Sequence, residues 1–326
     1  MKLLVVIVNY KTAGLCEDCL DSLAEEIAQL RDRATELKVV VTDNASGDGS
    51  VDRLQNFVDS KGYANWCEIK PLPRNGGFAY GNNGGIRPAL KSDSPPDYVL
   101  LLNPDTIVRP RAISELVLFM EQRPEVGITG SRLEDPDGTP QRSAFRFPGV
   151  LSEFEFALRL GPVSKLLSGK VVAPPVSDVA VQTDWVAGAS MLVRREVFDK
   201  AGLMDEHYFM YYEEVDFCKR AAEAGFECWY VPASRVVHLV GQASGVTDAK
   251  QARKRRPSYW FESRRRYMLK NLGGVRTMLA DSMFMGAFAT WRVRRLIQRK
   301  PDPDPAKFLT DFASQSVFRR GFARAK

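Results

Sequence analysis

The sequence predicts an α/β fold: a mostly parallel central sheet with helices on both faces, followed by a basic, mostly helical extension. Three observations predict it. The first 130 residues alternate strand-like and helix-like segments. The strands are apolar along their whole length, as strands covered on both faces must be. The chain also changes sign near residue 240. Residues 1–240 hold 26 Lys and Arg against 34 Asp and Glu, whereas residues 241–326 hold 20 against 6.

The elements follow in order. Leu3–Val8 reads as a buried first strand. The start "MKLLVVIVNYK" looks like a signal peptide, but its apolar core is six residues long and no small-residue cleavage site follows. Thr12 caps a helix that runs to about Leu30. Leu15, Cys19, Leu23 and Ile27 share one face of it, so the Cys16/Cys19 pair reads as small buried hydrophobes rather than a redox or zinc motif. Leu37–Thr42 is the second strand and runs into Asp43-Asn44-Ala45-Ser46. A short helix over 51–58 and a weaker strand over 68–71 come next. Asn75-Gly76-Gly77 opens a helical stretch to about Leu90. Tyr98–Leu102 is the fourth strand, ending in Asn103-Pro104-Asp105, and a helix over 111–122 leads to a fifth strand over 126–129. Residues 131–182 read as an irregular, aromatic-rich connection. Trp185–Val193 reads as one strand, and 194–201 and 213–224 as helices closed by Gly202 and Gly225. Strands over 226–231 and 236–239 complete a body spanning 1–240, and 241–326 forms the extension.

In a parallel sheet, ligands sit beyond the carboxyl ends of the strands. Asn9, Asp43, Asn103 and Asp105 all stand there. Any one of them is explained by turn formation, but their coincidence at three strand ends points to a ligand site. Glu213, Glu214 and Asp216 open a helix directly after Tyr208-Phe209-Met210-Tyr211-Tyr212. Acids in a first turn complement the helix dipole. Apolar neighbours also raise a carboxyl pKa, which suits a general base. Of the two histidines, His207 and His238, the second ends a strand. With Asp105 it makes an O/N pair suited to Mg²⁺ or Mn²⁺, since zinc favours more nitrogen or sulfur ligands. Gly188 and Ala189 are small enough to let a ligand approach. No Ser/His/Asp or Cys/His arrangement marks a protein nucleophile.

The segments "VVIVNYKTAGLCEDCLDSL", "VTDNASGDGS", "RNGGFAYGNNGGI", "LLNPDT", "WVAGASMLVRREVFDKAGLMDEHYFMYYEEVDFCKRAAEAGF" and "VVHLVGQASG" occur in one order over about residues 3–245. Together they resemble the inverting glycosyltransferases of family 2, of the Rossmann-like GT-A fold, and in particular the rhamnosyltransferase-like branch. The resemblance implies that residues 1–130 bind a nucleotide-sugar and 131–240 carry the acceptor and catalytic groups. It implies that Asn9 and Asp43 hold the nucleoside and that Asn75, Gly77, Phe78 and Asn82 lie in a loop closing over the donor. Asn103 and Asp105 replace the Asp-x-Asp of many members, leaving Asp105, with His238, to hold a divalent cation. Trp185, Gly188 and Ala189 line the sugar and acceptor pocket, and Glu214, beside Glu213, takes the base position. The implied donor is dTDP-L-rhamnose first, with UDP- or GDP-sugars as alternatives. The implied acceptor is a glycan or lipid-linked hydroxyl in cell-surface polysaccharide assembly.

Five cysteines without framework spacing predict reduced thiols and a cytoplasmic setting. No run of about eighteen apolar residues predicts a spanning helix. In the extension, Arg253–Arg256, Arg264–Arg266 and Arg292–Lys300 flank a mostly apolar stretch, Thr277 to Trp291. That pattern suits a helix lying at a membrane surface, which would place the protein at the inner membrane face. It also suits a helix packed on the body with a solvated basic face. Residues 301–326 read as a loose end. A nucleic-acid binder would use the aromatics Tyr259, Trp260 and Tyr267, but the acidic body and the lack of a known motif argue against nucleic acid as a partner. A non-catalytic sugar-nucleotide binder is opposed by the joint presence of Asp105, Glu214 and His238.

Overall fold

A computed structural model describes residues 1–31, 36–239 and 255–323. In chain order the first half contains β1 (Lys2–Asn9), α1 (Ala13–Arg31), β2 (Glu36–Asp43), α2 (Ser50–Lys61), β3 (Cys67–Pro71), α3 (Gly77–Leu90), β4 (Tyr98–Leu102), β5 (Thr106–Val108), α4 (Ala112–Glu121) and β6 (Val126–Glu134). Then follow β7 (Ala144–Phe145), α5 (Val150–Leu158), α6 (Gly161–Leu166), β8 (Val181–Thr183), β9 (Trp185–Val186), β10 (Ser190–Arg194), α7 (Arg195–Ala201), α8 (Glu213–Glu223) and β11 (Glu227–His238). The extension supplies α9 (Ser258–Asn271), α10 (Gly273–Ile297), α11 (Phe308–Gln315) and α12 (Val317–Arg320).

The main sheet has the order β3-β2-β1-β4-β10-β6-β11-β5, with β8 added to β11. Strands β3, β2, β1 and β4 are mutually parallel, as are β6 and β11. Between these blocks β10 runs antiparallel to both neighbours, so the sheet is mixed. The continuous apolar strands bury both faces. Leu3, Val5, Ile7, Leu100 and Leu102 pack with Cys16, Leu20, Leu23 and Leu116 on one side. Leu4, Val6, Val99 and Leu101 pack with Ala79, Ile86, Val197 and Phe217 on the other. Cys16 and Cys19 are buried free thiols on the inner face of α1, as the helical reading expects.

Four expectations need correction. The two strands read over 226–231 and 236–239 are one, β11, whose pairing with β6 shifts register between Val231 and Arg235. The strand read over Trp185–Val193 breaks into β9 and β10, because residues 187–189 leave the sheet. β9 pairs instead with β7 in a separate ribbon. The segment read as irregular carries α5 and α6. The tail read as loose carries α11 and α12, and Phe308, Phe312 and Val317 are buried. The periodicity of 308–320 is too short to stand out beside Pro301-Asp302-Pro303-Asp304-Pro305.

The extension is bound to the body by a shared core and by ion pairs. Ala157 of α5 is buried with Phe261, Phe284, Phe288, Trp291 and Phe312 of the helical extension. One face of the stretch 277–291 is therefore packed on the body. Several cations of the tail are met within the chain. Arg264, 3% exposed, pairs with Glu153 at 2.6 Å and with Asp281 at 2.7 Å. Arg255 pairs with Asp311 at 2.7 Å and Arg266 with Asp205 at 3.0 Å. Arg253 and Lys254, also read as part of the basic tail, lie outside the described residues.

Breaking a buried pair strands a charge, whereas an exposed pair contributes little. Asp281 also accepts the Val317 N–H at 2.9 Å. Asp281→Ala should therefore destabilise the fold by about 3–5 kcal/mol in urea unfolding. Glu36→Ala, at the exposed pair with Lys38, should change it by under about 1 kcal/mol.

Candidate active site

The carboxyl ends of β1 and β2 hold a closed polar knot. Asn9 Nδ2 donates to Asp43 Oδ1 at 2.7 Å, and its Oδ1 accepts the Thr12 N–H at 3.1 Å and hydroxyl at 3.0 Å. Asp43 accepts the Ser46 hydroxyl at 2.6 Å and the Ser46 N–H at 2.9 Å. Asn9 is thus a positioning group for Asp43, its amide spent inside the protein.

Asn44 was not singled out in the sequence, yet it latches the next loop. Its Nδ2 donates to Asn75 Oδ1 at 3.1 Å and to Gly77 O at 3.0 Å. Asn75 Oδ1 in turn accepts the Gly77 N–H at 3.0 Å. Gly77 has φ +85°, and a Cβ there would lie 1.8 Å from Phe209 O. That close approach lets the Phe78 N–H donate to Phe209 O at 2.9 Å. The loop before α3 is therefore stitched to the segment before α8. Asn82, expected at the donor, is 1% exposed and donates to Phe78 O at 3.0 Å. Its Oδ1 has no hydrogen-bond partner among the described residues.

Beyond β4, the Asn103 N–H donates to Ala189 O at 3.0 Å, and Asp105 is 2% exposed. Ala189 is buried and serves through its backbone. The antiparallel pairing of β11 with β5 sets His238 beside Thr106, and His238 Nε2 lies 3.6 Å from Asp105 Oδ1. The ring is oriented by Gln141, another group the sequence did not reveal. Gln141 Nε2 donates to Asp135 Oδ1 at 2.7 Å and to His238 O at 2.9 Å, which fixes the amide. Its Oε1, 3.3 Å from His238 Nδ1, can then only accept. The neutral imidazole therefore carries its proton on Nδ1 and turns the Nε2 lone pair toward Asp105. One carboxylate oxygen and one imine nitrogen fit a Mg²⁺ or Mn²⁺ ion that takes its remaining ligands from substrate and water. Among the described residues no group of three or more His, Cys, Asp or Glu side chains could hold a metal by itself.

The acids of α8 diverge. Tyr211 and Tyr212, directly before them, have φ of 71° and 69°. Tyr211 stacks on Tyr259 and Tyr212 packs on Tyr267 and Trp260, all from α9. Ser263 Oγ also donates to Met210 O at 3.0 Å. Asp216 is buried and accepts from Lys270 Nζ at 2.8 Å, Arg220 Nε at 3.0 Å and the Tyr208 hydroxyl at 3.3 Å. It fastens α8 to α9. Glu213 is 3% exposed and Glu214 half-buried. One oxygen of each lacks a hydrogen-bond partner among the described residues. Burial, then the neighbouring Glu214 charge, pushes Glu213 well above the usual carboxyl range. Burial raises Glu214 to about 7.

Glu214 lines a cleft of about 790 Å³ with Phe145, Pro148, Trp185, Tyr212 and Trp260; Glu213 and Asp216 are not among its lining residues. Trp185 stacks on Phe145 with centroids 4.2 Å apart, and its indole N–H donates to Arg146 O at 3.0 Å. Gly188 sits where a Cβ would be 3.1 Å from the Phe78 ring and 3.8 Å from Glu214 Cβ. Phe78, Gly188 and Glu214 therefore meet. His207 is exposed and hydrogen-bonded to Asp205, away from this junction.

The family model described as glycosyltransferase like family 2 matches residues 2–267. The chain belongs to glycosyltransferase family 2. The match ends inside α9, so it takes in Tyr259, Trp260 and Tyr267, which pack on the two strained tyrosines. The N-acetylglucosaminyl-diphospho-decaprenol L-rhamnosyltransferase of Mycobacterium tuberculosis (strain H37Rv) is 28% identical over 262 residues, 75% of this chain and 78% of its own. The rhamnosyltransferase WbbL of Escherichia coli K12 is 32% identical over 165 residues, 50% of this chain and 60% of its own. The solved structure of GalNAc-T7 with UDP, GalNAc and Mn²⁺ superposes with a TM-score of 0.57 at 15% identity, covering 98% of this chain and 59% of that one. That likeness shows the fold, which is GT-A. The glycosyltransferase assignment agrees with the resemblance drawn from the sequence motifs.

Gly77→Ala tests the stitched loop. Left-handed backbone and the clash with Phe209 O should together cost at least about 2 kcal/mol in thermal unfolding. Nucleoside diphosphate affinity, read by calorimetry, should fall with it.

Proposed function

We propose that this family 2 glycosyltransferase moves a sugar from a nucleotide donor, dTDP-L-rhamnose first, to a hydroxyl of a lipid-linked glycan, with inversion. The observation that carries this reading is the position of Glu214. It stands where the donor-side loop, through Phe78, meets an apolar cleft open to an acceptor.

The chemistry follows from that placement. Glu214 accepts the proton of the acceptor hydroxyl as its oxygen bonds to the anomeric carbon. The bond from that carbon to the donor diphosphate breaks on the opposite side, and the nucleoside diphosphate leaves with the electron pair. One displacement inverts the centre and needs no protein nucleophile. Asp43 and the knot around it support the nucleoside. Asp105 and His238 would hold a divalent ion, which when bound would supply positive charge beside the departing diphosphate. Trp185 offers a flat face to a sugar ring. Arg142, exposed at the cleft and in no salt bridge among the described residues, would supply positive charge to an acceptor phosphate. The rhamnosyltransferase names of the relatives support the donor sugar, and the diphospho-decaprenol in one of them supports the acceptor class. A lipid-linked acceptor in turn supports work at the inner membrane face.

Glu214→Gln should lower transfer about 10²–10⁴-fold while leaving nucleotide binding intact. Turnover near the parent rate would assign the base elsewhere. Because Glu214 acts ionised and burial raises its pKa to about 7, kcat/KM should climb as pH rises through that value and level off above it. The glutamine variant should lose this dependence.

Thermal shifts with dTDP, UDP or GDP, each with Mn²⁺ or a chelator, test the donor and the ion. Ligand that binds only the folded state raises Tm by mass action. The largest shift should come with dTDP and Mn²⁺. A larger shift with UDP or GDP would replace the donor, and a shift indifferent to Mn²⁺ would remove the ion from the reading.

A further inference from the structure

The 25 residues of α10 extend for about 37 Å at 1.5 Å per residue. One face of this helix is packed on α5 and the extension core. The opposite face carries Val275 (77% exposed), Leu279 (51%), Val293 (58%), Leu296 (66%) and Ile297 (76%). Between them the exposed positions are small: Ser282, Gly286, Ala289 and Thr290. The helix contains a single acidic residue, Asp281, and it is buried against Arg264.

Cations bracket this face. Arg276 is exposed at one end, and Arg299 and Lys300 at the other. At the first end Gly274 sits against the ring of Phe322, which is itself 59% exposed and follows exposed Arg319 and Arg320. Among the described residues no helix is long and apolar enough to cross a membrane. An apolar stripe with cationic ends and no exposed acid has the character of a helix that lies in the plane of an anionic lipid surface.

We propose that the outer face of α10 docks on an anionic bilayer, with Leu279, Val293, Leu296 and Ile297 entering the acyl boundary and Arg276, Arg299 and Lys300 meeting lipid phosphates. The inference deepens the membrane-surface reading above and rests on it only for its purpose; the lipid contact itself follows from the face. α5, which packs along the same helix, carries exposed Leu151 and Phe156, and Phe156 lines the cleft that reaches Glu214. Docking by α10 would therefore bring the body, through α5, to the lipid surface that carries a lipid-linked acceptor.

The test is co-flotation of the full chain with vesicles of phosphatidylcholine alone or mixed with phosphatidylglycerol. The parent should float with the mixed vesicles and release as salt is raised. The triple variant Leu279→Glu, Val293→Glu, Leu296→Glu should bind them at least about tenfold more weakly, with Tm unchanged. The second variant, Arg276→Gln, Arg299→Gln, Lys300→Gln, should lose preference for phosphatidylglycerol by roughly a hundredfold at low salt. Both should retain transfer to a detergent-dispersed acceptor, which separates failure of docking from failure of the enzymatic reading. Equal vesicle binding by parent and both variants would overturn the proposal. So would a parent that ignores vesicles but sediments as a dimer that the triple variant dissociates, since a second copy would then cover the face.

Discussion

Tyr211 and Tyr212, two bulky residues held side by side in the left-handed region, are the constraint on which the site depends. Such a conformation costs of order 1–3 kcal/mol per residue. It persists because both sides of the segment are fastened. On one side Phe209 O accepts the Phe78 N–H, and only glycine at 77 permits that approach. On the other, α9 presents Tyr259, Trp260 and Tyr267 to the two rings. The strained turn thereby aims the first turn of α8 at the cleft. The loop before α3, the first turn of α8 and the extension are one mechanical unit.

The same packing explains why three neighbouring acids do three different things. Asp216 faces Arg220 and Lys270 and stays within a satisfied network. Glu213 faces the interior, where burial and its neighbour disfavour ionisation. Glu214 alone lines the cleft, and burial leaves it titrating near the pH of ordinary solution. A carboxylate in water would be too weak a base for an alcohol, and a fully buried one would stay protonated. The half-buried position lies between these limits.

Much of this was legible in the residues, and the exceptions share a cause. Continuous apolar runs such as Leu3–Val8 and Tyr98–Leu102 announced strands buried on both faces, and the polar groups at their ends marked the candidate ligand edge. The acids after Tyr208–Tyr212 could be seen as a possible base from local composition alone. Asn44 and Gln141 could not be seen, because what they do is set by partners far away in the chain: Asn44 reaches residues 75 and 77, and Gln141 reaches His238. The break between β9 and β10 was hidden for a similar reason. Trp185–Val193 has the apolar content of one strand, but Gly188 lies between β9 and β10, close against the Phe78 ring. The cationic run Arg264–Arg266 looked like solvent-facing charge, since its carboxylate partners include Glu153, Asp205 and Asp281. Local pattern reveals elements and the edge where they converge. It does not reveal pairings across a hundred residues.

The shared core of α5 with the extension bears on how the protein comes into being. Ala157 is made well over a hundred residues before Phe284, Phe288, Phe308 and Phe312, which enclose it. During synthesis the sheet and its two apolar layers can close as soon as β11 emerges. The turn at Tyr211–Tyr212 must wait for α9, and α5 must wait for α10 and α11. A nascent chain that has released β11 but not yet these helices would therefore own a finished sheet and an unset first turn of α8. The cleft takes its form only once the extension has been made.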